Sequence, residues 1–366
     1  MKGMALRGLV LIGTYTGEAG PAGISRGLYA ADWDGAVGGL GPPRLVAELE
    51  HPSFIALHPT RPLAYVASET GRFRGVDSGA VAVVRLDGTH FTLASQHASH
   101  GTSPCHLAVD PRGEFLVVSN YGSGTAAVYR LRAGLPTGEA TVLRLEGHGP
   151  KADRQEGPHA HSAVFDPTGD RFYVQDLGTD RLWGYALDRH HGTVAPLVPP
   201  FTTLAPGAGP RHMVFHPHGP WAYVINELDN TVTALAWTRT SGALTPFQTV
   251  GTLPAGRTET APSWPADIHV TADGAFLYGS NRGHDSLVVY RIGATDGRLE
   301  PVQDAPSGGG HPRNFALAPD GGWLLCANRD ADNVVVFRRD PATGRLTSTS
   351  ATPAPHPVCV VFVPAK

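Results

Sequence analysis

Cysteine is scarce in this chain: three residues in 366, at Cys105, Cys326 and Cys359, with no CxxC spacing among them. So sparse and odd a set excludes a disulfide framework and points to a reducing compartment. Charge is thin as well. Charged residues make up 17% of the chain, the net charge is −3, and no basic block or Lys/Arg stripe occurs. Nucleic acid and anionic membrane are therefore excluded as partners. Long apolar runs are missing too. The longest near the N-terminus is Leu9–Ile12, too short for a signal-peptide core or a membrane span. There is no P-loop and no dinucleotide fingerprint. These absences predict a soluble, cytoplasmic chain.

Glycine and proline are plentiful, 45 and 32 residues, and they punctuate a repeat. Seven prolines, Pro52, Pro104, Pro158, Pro210, Pro265, Pro312 and Pro357, recur every 45 to 55 residues. Each opens a short apolar run, then a turn such as DPRG, DPTG, HPHG or APDG, then a second apolar run ending in a polar pair. PRHMVFHPHGPWAYVINE from Pro210 is a clean copy. Proline presets the first turn dihedral and Gly or Asp tolerates the left-handed position, so the two runs form a tight hairpin. A third run and a weaker edge run follow. A period near 50 residues built of short strands predicts an all-β fold: a seven-bladed β-propeller with four antiparallel strands per blade.

Six repeats are complete and the seventh is split. HPVCVVFVPAK at the C-terminus supplies a first strand, while GLVLIGTYTG, GLYAADWD and RLVAELE near the N-terminus supply the other three. One C-terminal strand closing a blade with three N-terminal strands would remove open edges. The expectation is a single domain over residues 1–366.

In each hairpin the start of the first strand lies beside the end of the second. Residues at those two places should therefore gather at one mouth of the propeller. The first-strand openings include His159, His161, Arg211, His212, Asp267, His269, Arg313 and Asn314; the second-strand ends include Asn120, Tyr121, Asp176, Glu227, Asn281 and Arg282. The opposite mouth receives only turn residues. This convergence of ionisable side chains points to a small-molecule site rather than a bare interaction surface. Two long polar connections, 146–157 and 256–265, are candidate walls or lids, and Lys151, Arg154 and Gln155 could reach in from the first.

Arg211 and Glu227 stand 16 residues apart, which makes them neighbours in one blade, either as a structural ion pair or as an anion-stabilising Arg beside a carboxylate base. His159 and His161 have the spacing that points two side chains the same way on a strand; metal ligation, acid–base work and polar packing all fit, although no carboxylate-rich partner set accompanies them. Arg211, Arg282 and Arg313 would place three planar donors on one mouth, suited to phosphate or carboxylate. Asp267 and Asp176 fit capping or turn roles as well as ligand contact. Cys105 and Cys359 lack a nucleophile elbow and read as packing residues.

The segments QEGPHAHSAVFDPTG, GPRHMVFHPHG, YVINELDNTV, YGSNRGHDSLVVY and PRNFALAPDG together resemble the seven-bladed lactonase family, which includes propeller-type 6-phosphogluconolactonases and carboxy-cis,cis-muconate cyclases. The resemblance runs across essentially the whole chain. It implies a hydrolase of sugar lactones, foremost 6-phospho-D-glucono-1,5-lactone, an anionic small-molecule substrate, and no cofactor or metal. By analogy with the cyclase branch, it places catalytic roles on Arg211, Glu227 and the histidine pair, His161 ahead of His159. The remaining residues above, with Gln155, His212 and Tyr121, are the expected substrate contacts. Arg329 departs from the neutral amide the pattern leads one to expect. The alternatives are a cyclase or other sugar-acid lactonase, a calcium-dependent lactonase, and a catalytically silent propeller that binds a partner protein.

Overall fold

The computed structural model describes residues 7–17, 19–254, 256 and 262–364. Every regular element among them is a β-strand, and no helix is long and apolar enough to cross a membrane. The strands form seven antiparallel sheets with four rows each, and a two-residue hairpin, Ala19–Gly20 with Gly23–Ile24, stands apart. The sheets divide between two compact units: Ser53–Val250, and Met1–Pro52 with Gly251–Lys366.

The first unit holds four complete sheets, each following the chain order of the repeat. The strand Pro210–Phe215 pairs with Trp221–Asn226, which pairs with Thr231–Trp237. Consecutive sheets pack face to face through apolar clusters. Phe115, Val117, Ala163, Phe172 and Val174 fill one, and Met213, Val224, Leu235 and Trp237 belong to the next. Inner strands are apolar on successive positions because both of their faces are covered, and each fully buried Val or Leu contributes about 1.5–3 kcal/mol.

The second unit contains the split repeat. Pro357–Val363 pairs antiparallel with Arg7–Thr14, which pairs with Gly27–Asp34; the outer row is broken into Gly39–Leu40 and Arg44–Glu48. The two chain ends thus complete one sheet, as the repeat predicts. Two further sheets run from Trp264 to Pro306 and from Pro312 to Pro353. The split sheet packs on the latter through Val10, Ile12, Trp33, Leu325, Val334 and Val336.

Two local devices recur and set up the site. The hairpin turn after the first strand is fastened by a side-chain acceptor: Asp110 accepts from the backbone N–H groups of Arg112, Glu114 and Phe115, Asp166 from those of Thr168 and Gly169, and in two other sheets His58 and His216 take this place through Nδ1. Gly113 and Gly169 close these turns at φ of 71° and 73°, which a side chain would strain. The second device is a bulge one residue after the opening of five of the first strands. Pro104 faces Asn120 and His106 faces Ser119, which leaves Cys105 extra; the same shift leaves His161, Arg211, Arg313 and Val358 extra in their sheets. A bulge bends the strand and re-aims the extra side chain.

Candidate active site

In the unit Ser53–Val250, the bulge residues of successive sheets meet around one carboxylate. Glu227 directly follows the strand Trp221–Asn226, and its backbone N–H donates to the Gly209 carbonyl at 2.8 Å. Its side chain is buried. Arg211 Nε donates to Glu227 Oε2 at 3.0 Å, and Arg154 Nη2 donates to Oε1 at 2.6 Å. His161 Nε2 lies 3.9 Å from Oε2. Arg211 Nη1 sits 3.0 Å from His212 Nε2; a guanidinium has no acceptor, so His212 presents its unprotonated Nε2 there. Arg211 is only 2% exposed, among the most buried large side chains of the protein. Behind His161, the Cys105 thiol donates to the His161 carbonyl at 3.1 Å and lies 3.7 Å from Nδ1.

A second layer is formed by rings. His212 contacts His161 and His106 edge-on, with centroids 5.6 and 5.1 Å apart, and Phe54 lies 4.1 Å from His106. Tyr121 stacks flat on His159 at 4.4 Å and meets His161 edge-on. Burial pushes the Tyr121 phenol up from its ordinary value, with the Arg154 contact pulling the other way. For Arg154, burial works against the charge, but the Glu227 carboxylate outweighs it and holds the guanidinium above its usual range. Among the described residues, no group of three or more His, Cys, Asp or Glu side chains is placed to hold a metal ion.

The two expected histidines divide. His161 points at Glu227. His159 points away: Nδ1 meets the Tyr121 carbonyl at 3.0 Å and Nε2 meets Glu156 at 3.1 Å, so both ring nitrogens are engaged in holding the loop and the Tyr121 ring.

Several expected ligand contacts are built into the scaffold instead. The amides of Asn120 and Asn281 turn into the scaffold, where each Nδ2 donates to a backbone carbonyl of the connection that leads into its sheet (Ser99, Thr252) and to a hydroxyl of its own sheet (Thr125, Ser286). Asp176 is buried, and burial pushes its carboxyl up against the donors Thr179, His159 N–H, Trp183 and Gly178 N–H that hold it down. Gln155 is buried as well. Its side chain bonds the Leu177 carbonyl, Asp180 and the Lys151 N–H, while Lys151 Nζ donates to the Leu228 carbonyl. The connection 146–157 is therefore a pinned wall. Residues 257–261 of the other expected wall, 256–265, lie outside the described residues.

The other unit carries the remaining expected residues. Asp267 Oδ2 takes His269 Nε2 at 3.0 Å and Asn314 Nδ2 at 2.6 Å, and Asn314 Oδ1 accepts from the Val360 N–H at 2.7 Å. This chain of contacts ties the first strands of three sheets together. Burial lowers His269, but the Asp267 charge overrides it and leaves the imidazole above its ordinary value. Arg282 donates to the Trp264 and Pro265 carbonyls, and Arg313 lies over the Tyr15 ring at 5.2 Å. Both, with Arg329, act on His311, which burial and then these charges push down to about 3.

Sequence reasoning named Arg154 as a residue that could reach in from the 146–157 connection, but left His106 and Phe54 out of the candidate set. His106 and Phe54 were legible as repeat equivalents of His212, each two residues after its anchoring proline. Arg154 lies in a connection outside the repeat; only the polarity of that loop marked it.

The model of the family described as Lactonase, 7-bladed beta-propeller, matches residues 9–362. A 6-phosphogluconolactonase of Bacillus subtilis is 35% identical over 309 residues, 84% of each chain. Among solved structures, a periplasmic gluconolactonase of Pseudomonas aeruginosa superposes with a TM-score of 0.89 at 30% identity, covering 98% of this chain and 99% of that one. A protein of Lactobacillus plantarum has the same TM-score and identity, covering 98% and 100%. Seven four-stranded sheets and a match of this extent place the chain in the seven-bladed β-propeller lactonase family.

Proposed function

We propose that this chain is a lactone hydrolase acting on 6-phospho-D-glucono-1,5-lactone, the ester-opening step of the oxidative pentose phosphate route. The observation that carries the reading is the buried Glu227 carboxylate, bracketed by Arg211 and Arg154 with His161 at 3.9 Å. Water attacks the lactone carbonyl and gives its proton to Glu227. Negative charge develops on the carbonyl oxygen, and the Arg211 guanidinium, aimed by Glu227 and His212, stabilises it; a donor of this kind typically lowers the barrier by about 3–4 kcal/mol. As the tetrahedral intermediate collapses, the ring C–O bond breaks and His161 protonates the departing oxygen, taking up the proton held by Glu227. The product is the open hydroxy acid. His106, His212 and Phe54 wall the sugar side, and Tyr121 and His159 shape the loop side.

The cysteines are free, which supports a cytoplasmic enzyme. The likeness to a periplasmic gluconolactonase favours one second reading, hydrolysis of the unphosphorylated lactone. One assay separates the two: freshly generated 6-phosphogluconolactone and gluconolactone, each followed against its spontaneous opening. Faster turnover of the phosphorylated ester supports the first reading. A rate no greater than background on both substrates refutes lactone hydrolysis of this class.

A further inference from the structure

The two arginines on Glu227 are not equivalent. Arg211 is sealed, its side chain 2% exposed, whereas the Arg154 side chain is 32% exposed. Arg154 comes from the pinned 146–157 connection, where its neighbour Gln155 is buried and bonded to Leu177 and Asp180. The backbone beneath Arg154 is therefore fixed while about a third of its side chain is exposed. That guanidinium touches both Glu227 Oε1 and, at 3.4 Å, the Tyr121 hydroxyl. Glu156 of the same loop is engaged with His159 on the solvent side. A carboxylate with a guanidinium on each oxygen is a poor proton acceptor. For Glu227 to act as a base, one of these contacts must yield, and of the two guanidiniums Arg154 is the one with a partly exposed side chain. A planar guanidinium fork pairs well with a phosphate.

We propose that Arg154 is the specificity-determining latch of this site: it rests on Glu227 and transfers to the phosphate of the incoming ester, which leaves Glu227 Oε1 able to take the proton from water. The proposal rests on the hydrolase reading above. The substrate phosphate then raises kcat as well as lowering KM, because binding at a remote group is converted into activation of the base.

Binding and turnover test this separately, using wild type, Arg154→Ala and Arg154→Lys. By calorimetry, wild type should bind 6-phosphogluconate about tenfold or more tighter than gluconate; Arg154→Ala should abolish that preference and Arg154→Lys restore part of it. In turnover, the ratio of kcat for phosphorylated over unphosphorylated lactone should fall about tenfold in Arg154→Ala. An unchanged ratio, or equal weakening of both ligands, overturns the proposal and leaves Arg154 as a brace for Glu227. Phosphate-dependent binding that needs Arg154 in a protein that hydrolyses neither lactone upholds phosphate recognition by Arg154 and refutes the hydrolase reading. Phosphate-selective turnover that survives Arg154→Ala upholds the hydrolase reading and refutes the latch.

Discussion

Replacing Arg211 by methionine should cost far more than the loss of one hydrogen bond. Arg211 and Glu227 are both almost fully buried, with Nε and Oε2 3.0 Å apart, and Nη1 also serves His212. Arg211→Met keeps much of the volume but takes the charge from beside a carboxylate that cannot hydrate; breaking a buried pair in this way costs about 3–5 kcal/mol. Glu227→Leu alone leaves the guanidinium in the same position and should cost a similar amount. In the double variant neither buried charge remains and Arg154, a third exposed, can turn to water. Its loss should fall short of the sum of the singles by about 2 kcal/mol or more. Guanidinium unfolding curves on the four proteins, read by tryptophan fluorescence, give the coupling. Additivity within about 0.5 kcal/mol would show that the pair is not an electrostatic unit and would refute the reasoning. Activity supplies an independent arm, since Arg211→Met should lower kcat about 100-fold or more if its charge faces the developing oxyanion.

Three further outcomes follow from the same geometry. His161→Gln should lower kcat by about 100-fold or more, while His159→Gln, which loses only the loop and ring contacts, should change kcat much less; equal losses would mean that the proton route is wrongly drawn. Asn314→Ala deprives the buried Asp267 carboxylate of a donor and the Val360 N–H of its acceptor, and should cost about 2–4 kcal/mol in denaturant stability; a midpoint within error of wild type would contradict the bracing role. His311 titrates near 3 when folded and close to 6.5 when unfolded, so the unfolded chain binds the extra proton between those values. Stability is then complete above about pH 6.5 and declines as pH falls toward 3, by at most about 1.4 kcal/mol per pH unit. His311→Asn, which tolerates the local φ of 62°, should flatten the acid limb of a plot of melting temperature against pH, and an unaltered limb would rule His311 out as its cause.

Much of the fold was legible because it repeats. The proline anchors, the turn signals and the split first and last repeats each predict a feature that the sheets show, down to Pro357–Val363 completing the sheet of Arg7–Thr14. The pairing of Arg211 with Glu227 was legible from hairpin geometry alone. Other assignments failed where position was read without direction. Asn120 and Asn281 occupy the expected strand ends, yet their amides turn sideways to fasten the connection that leads into each sheet, because a buried backbone carbonyl there needs a donor. His159 and His161 share a strand opening but point differently, because the one-residue shift between Ala160 and Ser162 breaks simple alternation. No periodic pattern encodes such a bulge in advance. Arg154 could be named but not placed, for the opposite reason: it belongs to a long connection whose placement depends on Gln155 and Lys151 rather than on the repeat.

The recurrent bulge has a consequence for how chemistry changes in this architecture. Cys105, His161, Arg211, Arg313 and Val358 occupy the same backbone slot in different sheets, one residue past the strand opening. A thiol, an imidazole, two guanidiniums and an isopropyl group are all accommodated by one main-chain geometry. The slot thus works as an interchangeable socket: its occupant can be exchanged without redrawing a hydrogen-bond ladder. New substrate preferences can arise by single replacements in these sockets, while the turns and edge strands that hold each sheet together stay as they are.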